Sequence, residues 1–210
     1  MFSEKYTRRE LCVHVLMYLV GIVVLPLGVV LTINSHFGAG GLDALNFAFG
    51  DWLHIPTSIS IYILGTIYTC LAGVLRKKSP RWTVMITSLL QGGFTGIWKI
   101  LLAGVESTGL LSAVLMFLAG NLIVAMTAGP YFLSLFPTNP IDDLTKAVSE
   151  LGLRISFAKI ILECCGAGLA FLLHGEISIG TALTILLLGP MIDFFSVLTK
   201  KMLKKWNIRY

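Results

Sequence analysis

The sequence predicts an all-α membrane protein, with six transmembrane helices arranged as two inverted three-helix repeats. Each repeat carries a short interfacial or re-entrant helix after its first span. Three observations lead to this fold class. The chain is 56% hydrophobic and only 13% charged, with a mean hydropathy of +0.85, whereas a soluble domain carries about 25% charged residues. Six apolar runs approach or exceed the ~20 residues needed to cross a bilayer. The second half also repeats the first at one fixed offset. Val15-Leu16-Met17-Tyr18-Leu19-Val20-Gly21 returns as Val114-Leu115-Met116-Phe117-Leu118-Ala119-Gly120, and Leu42-Asp43-Ala44-Leu45 returns as Ile141-Asp142-Asp143-Leu144. Ile61 pairs in the same way with Ile160, Ile86 with Ile185 and Leu89 with Leu188.

The first repeat covers about residues 11–105 and the second about 110–204, within a single transmembrane domain of residues 1–210. Its first run, 11–33, has no small-residue cleavage site and takes part in the repeat, so it is expected to remain in the mature chain. The long connection 34–56 holds Phe37-Gly38-Ala39-Gly40-Gly41-Leu42-Asp43. Glycines there permit a tight backbone path and close approach to another helix or a ligand. Asp43 then opens a short amphipathic stretch, 44–53, too short to span. Runs 57–75 and 82–102 follow with a short turn between them. The second repeat has the same plan: run 110–133, a long connection 134–154 in which Asp142 opens the stretch 143–152, then runs 155–173 and 177–198.

Three spans per repeat is an odd number, so the halves must enter the membrane from opposite sides. The charge pattern gives the orientation independently. Basic residues gather at 5–9, 76–81, 146–159 and 200–209, and six spans put all four clusters on one side; only Lys99 lies near the other. By the positive-inside rule both termini are expected to be cytoplasmic. The same placement accounts for the net charge of +5 without a nucleic-acid partner. The tail 200–209, with Trp206 and Tyr210, reads as an interfacial anchor on an anionic inner leaflet.

The candidate functional residues are the polar groups placed within or between spans. Glu163 lies near the middle of the fifth run and Asp193 in the inner half of the sixth, where Gly189-Pro190 is expected to kink the helix. A carboxylate at that depth costs about 2.5 to 3.5 kcal/mol unless it is paired or faces water. Two readings stay open for each: Glu163 pairs locally with Lys159, or lines an ion or substrate path; Asp193 bonds a neighbouring Ser or Thr, or lines the same path. Asp43 and Asp142 either cap their short helices or form the ends of that path. Asn121 and Gln91 are expected to bond across helices, and His14 to be wet at the inner end of its span. Cys12, Cys70, Cys164 and Cys165 have no metal-ligand spacing and read as packing residues. No metal or cofactor is implied.

Phe37-Gly38-Ala39-Gly40-Gly41-Leu42-Asp43-Ala44-Leu45 resembles the glycine-rich turn of the YitT/YczE-like bacterial integral membrane proteins. Gly189-Pro190-Met191-Ile192-Asp193-Phe194-Phe195 is similar to the segment in the last span of that family, and the likeness covers nearly the whole chain. The second copy of the turn departs from it, reading Phe136-Pro137-Thr138-Asn139-Pro140. The resemblance implies a bacterial plasma-membrane location and a fold more than an activity.

Three function classes follow. A small-solute transporter, or the substrate-binding membrane subunit of one, suits the repeat and the intramembrane carboxylates; such a chain pairs with copies of itself or with energising subunits. A membrane scaffold or regulator acting through a protein partner is the alternative. Enzyme chemistry is not expected, because no nucleophile stands beside a base and no phosphate loop or dinucleotide fingerprint is present.

Overall fold

Each apolar run becomes a helix, and most helix ends are set by a residue suited to the turn. The computed structural model of the protein describes residues 6–38, 40–175 and 177–210, without the side chains of Thr57 and Ser58. Lys5 of the first basic cluster and Ala39 of the glycine-rich turn lie outside the described residues. Among the described residues there are eight helices and no strand: α1 (Arg8–Asn34), α2 (Gly41–Leu53), α3 (Thr57–Leu75), α4 (Thr83–Leu101), α5 (Leu110–Phe132), α6 (Pro140–Ser149), α7 (Ile155–Leu172) and α8 (Ile179–Lys205).

Thr7 and Glu10 start α1 with a capping box: Thr7 Oγ1 accepts from the Glu10 N–H at 3.3 Å, and the Thr7 N–H donates to Glu10 Oε2 at 2.7 Å. These bonds satisfy amides that a helix start leaves free. Asn139 caps α6, its side chain accepting from the Asp142 N–H at 2.8 Å, and Pro140 follows at the first helical position, where a missing N–H costs nothing. Left-handed residues after the helix, His54, Lys77 and Asn207, end α2, α3 and α8.

Five helices, α1, α4, α5, α7 and α8, are long and apolar enough to cross a membrane. The described apolar stretch of α3, Ile59–Leu75, is shorter. Large apolar side chains such as Leu16, Ile86, Ile100, Leu115 and Leu186 face outward from these helices. An apolar exterior of that extent is what a lipid-facing surface requires.

Helices α1 and α5 cross at the centre with their backbones in near contact. A Cβ at Gly28 would lie 2.7 Å from the Gly120 carbonyl oxygen, and a Cβ at Gly120 would lie 2.7 Å from that of Gly28. Gly21 admits the ring of Tyr131, which is fully buried. Small residues let membrane helices approach this closely, where dispersion rather than the hydrophobic effect holds them. Around this pair α4 packs on α1 and α8 on α5; α2 packs on α7 and α3, and α6 on α3 and α7. One buried cluster joins α2, α3, α6 and α7 through Leu45, Leu64, Tyr68, Leu144 and Ala170, and another joins α5 to α8 through Val124, Ala128, Leu188 and Ile192.

Three expectations change. Helices α2 and α6 begin at Gly41 and Pro140, so Asp43 and Asp142 stand in the first turn and cap nothing; Gly40 and Asn139 occupy the cap positions. Gly189 and Pro190 lie within α8, which carries this proline inside it, and Gly189 serves close packing, since a Cβ there would meet the Ser156 backbone at 3.3 Å. His14 is fully buried instead of wet. The reason is the C-terminus, which turns back: Ile208 is buried, the Arg209 carbonyl bonds His14 Nε2 at 2.8 Å, and the Arg209 N–H donates to Glu10 Oε1 at 3.1 Å.

Candidate functional site

The two short helices aim their first turns at one internal cavity. At 13 and 10 residues, α2 and α6 reach about 20 and 15 Å at ~1.5 Å per residue, less than the ~30 Å of a hydrocarbon core. Gly40, Leu42 and Asp43 from α2 line the cavity, as do Pro140, Ile141 and Asp142 from α6. It measures about 170 Å³. Part of its wall is apolar, from Val29, Phe47, Val124, Phe132, Leu188 and Ile192.

Helix α2 owes its position to α7. A Cβ at Gly166 would lie 2.8 Å from the Leu42 nitrogen, and a Cβ at Gly41 would overlap the Glu163 carbonyl. The approach brings the free start of α2 onto Glu163, whose Oε2 accepts from the Leu42 N–H at 3.0 Å. Gly40 at the cap position has no side chain to do this, so a carboxylate 121 positions away does. A negative group at a helix N-terminus is favoured by the free amides and the helix dipole. Glu163 Oε1 meets Lys159 Nζ at 3.2 Å, one turn away, with side-chain exposures of only 7% and 10%. Glu163 thus pairs locally with Lys159, and both residues line the cavity.

The remaining candidates divide. Asp43, Asp142, Asn121 and Gln91 line the cavity; Asp193 does not. The Asp193 carboxylate instead accepts from Ser156 Oγ, joining α8 to α7. Asn121 donates within its own helix to the Phe117 carbonyl, and Gln91 Oε1 accepts from Asn139 Nδ2 at 2.9 Å, joining α4 to the start of α6. Among the described residues the Asp43 and Asp142 carboxylates accept no hydrogen bond. Asn46 Oδ1, the Tyr68 hydroxyl, Gln91 Nε2 and Thr184 Oγ1 are buried without a partner, and all four residues line the cavity. Sequence reading had singled out neither Asn46, Tyr68 nor Thr184: a lone polar residue on an apolar run gives no signal of which way it faces. Of the glycines, Gly38 takes φ +101°, a backbone state a side chain would strain, and sits against Ser178 and Thr181 at the start of α8. Cys164 and Cys165 face outward, and no group of three metal-ligating side chains exists among the described residues.

Helix α6 is held by ion pairs along its length, from Asp143 in its first turn to Glu150 at its C-cap. Arg76, at the end of α3, donates to Asp143 Oδ2 at 2.7 Å and to Glu150 Oε2 at 2.8 Å, and Arg81 stands 3.6 Å from Asp143 Oδ1. The Arg76 and Asp143 side chains are 6% and 4% exposed. The Arg76 hydrogen bond holds the Glu150 carboxyl below the usual glutamate range.

Comparison with known proteins agrees with the membrane fold class and adds no activity. The model of a family of unknown function, DUF6198, matches residues 12–197. The chain is 27% identical over 186 residues to the uncharacterized protein YyaS of Bacillus subtilis (strain 168), covering 88% of this chain and 92% of that protein. It is 22% identical over 190 residues to the uncharacterized membrane protein YczE of the same organism, covering 89% and 87%. No solved structure matches. The resemblance to YczE-like membrane proteins therefore holds, and the chain belongs to the DUF6198 family.

Proposed function

We propose that this protein is a small-solute carrier of a bacterial plasma membrane, built from two inverted halves around the central cavity. The observation that carries the reading is that both short helices, one from each half, present an aspartate in their first turn to the same cavity. Carriers built from inverted repeats bind solute where such discontinuous helices meet. The packing pattern supports the repeat: exchanging α1–α4 with α5–α8 turns the α1·α4 contact into α5·α8, α2·α7 into α6·α3, and α2·α8 into α6·α4. Counted with α3, whose length lies within the ~17–25 residues of a span, there are six spans, and the basic clusters favour cytoplasmic termini.

Reconstitution into proteoliposomes tests the reading. Uptake of small solutes should be saturable, and Asp142→Asn should lower it while leaving the protein monodisperse. Wild-type vesicles that match empty ones across cationic, neutral and anionic solutes, with and without co-purified partners, overturn the carrier reading in favour of a scaffold.

A further inference from the structure

We propose that the cavity between α2 and α6 binds a small organic cation, an ammonium group on a short hydrocarbon body. The proposal rests on the reading of this cavity as the solute site, and deepens it by naming the chemical class.

Four observations point to a cation. First, a side chain already takes one of the amides that would attract an anion at each helix start. Free amides at a helix start commonly hold phosphate or carboxylate ligands, but Glu163 takes the Leu42 N–H and Asn139 takes the Asp142 N–H. Pro140 has no N–H to offer.

Second, acid exceeds base. Asp43, Asp142 and Glu163 line the cavity with Lys159 as its one lining base, and Lys159 is held by Glu163 at 3.2 Å. Lys146 acts on Asp142 from one turn further along α6, but its ammonium is engaged by the Phe132 carbonyl at 3.3 Å and by the Phe132 ring. Even with Lys146 counted, carboxyl groups outnumber ammonium groups by three to two, and Asp43 has no ion pair among the described residues. A carboxylate at such depth is stable only when paired or wet.

Third, three of the four buried unpartnered atoms can accept a hydrogen bond. Asn46 Oδ1 only accepts, and the Tyr68 and Thr184 hydroxyls accept as readily as they donate; Gln91 Nε2 is the one N–H donor among the four. Their residues are only 4% to 8% exposed, and buried polar atoms without partners mark a place where something else completes the bonding. An ammonium brings several N–H donors to carboxylates and carbonyl-type oxygens at once.

Fourth, part of the wall is hydrocarbon, with Val29, Val124, Leu188 and Ile192 in it. A bare metal ion would leave those contacts unused. The cavity of about 170 Å³ suits a small amine rather than the drug-sized ligands of ~300–1,000 Å³ pockets.

The test is calorimetric titration of the full-length protein in lipid nanodiscs at constant ionic strength. The probes are 1-aminobutane and 1,4-diaminobutane, set against 1-butanol, butanoate and sodium chloride. An amine should bind saturably, and Asp43→Asn and Asp142→Asn should each weaken it about tenfold or more, as expected for loss of a charge-assisted hydrogen bond. Asp193→Asn, outside the cavity, should bind like wild type. The proposal is overturned if butanoate or butanol binds as tightly as the amines, or if neither aspartate substitution weakens amine binding. It is equally overturned if folded wild-type protein responds to sodium or protons alone. Amine binding without uptake into vesicles would keep the site and sink the carrier; uptake of a neutral or anionic solute without amine binding would do the reverse.

Discussion

Glu163 does two jobs, and a double-mutant cycle separates them. It starts α2 through the Leu42 N–H at 3.0 Å and compensates Lys159 at 3.2 Å. Glu163→Ala removes both and leaves Lys159 charged at 10% side-chain exposure. Breaking one side of a buried pair costs about 3–5 kcal/mol, and losing a helix cap about 1 kcal/mol, so the variant should lose about 4 kcal/mol or more. Glu163→Gln keeps an acceptor for Leu42 and should recover about the cap alone. Lys159→Met leaves three facing carboxylates and should cost about 3 kcal/mol. Combining Glu163→Gln with Lys159→Met removes both charges, so the double variant's loss should be smaller than the sum of the single losses by about 2 kcal/mol or more. Neutral hydrogen bonds between membrane helices couple by only about 0.6 kcal/mol on average, which makes the two cases separable. Reversible unfolding in mixed micelles, titrated with denaturing detergent, reads the cycle. Additivity within about 0.5 kcal/mol would refute the pairing across this site.

Gly28→Leu should abolish folding or cost more than about 2 kcal/mol, because its Cβ meets the Gly120 carbonyl at 2.7 Å, while Gly92→Ala, with nothing within 4 Å, should be neutral; detergent unfolding compares the two. Removing residues 208–210 exposes His14 and the site of Ile208, which is 4% exposed, and should lower stability by about 2 kcal/mol in the same assay. Arg76→Gln leaves Asp143 buried without its closest cation and should cost about 3 kcal/mol. Glu150 gives a smaller pH effect. Its carboxyl is held low by Arg76, so its contribution is present above the ordinary glutamate value and is lost as pH falls through the lowered one. Because the side chain is 52% exposed, that contribution should stay below about 0.5 kcal/mol, measured as the difference between wild type and Glu150→Gln across pH 3 to 6 (a window set around the ~4.3 reference value).

The spans were legible because length and apolar composition are local properties. Expected runs 57–75 and 155–173 meet α3 (Thr57–Leu75) and α7 (Ile155–Leu172) to within a residue. The starts of α2 and α6 were harder. Asn139-Pro140 carries a cap-and-proline signature that reads the true start of α6, but Asp142 drew attention away from it. Gly40 carries no such signal, since its cap comes from Glu163 through the tertiary fold. His14 was misread for the same reason: the chain end that buries it is 195 positions away. Asp193 stood out as a carboxylate within a span, and of its two readings the structure shows the bond to a neighbouring serine, Ser156 on α7. Periodicity shows that a residue lies on a helix; which polar residues share a cavity depends on how the helices are arranged.

The central claim is that the two halves enter the membrane in opposite senses, with α2 and α6 reaching in from opposite faces. Single cysteines test it directly, placed at Asp51 and Leu151, exposed residues at the outer ends of α2 and α6, after Cys12, Cys70, Cys164 and Cys165 are replaced by serine. A membrane-impermeant maleimide applied to intact cells should label the cysteine at Asp51, and should label that at Leu151 only after permeabilisation. Labelling of both from the same side would contradict the inverted arrangement, and with it the reading of the cavity as a point reached from two faces.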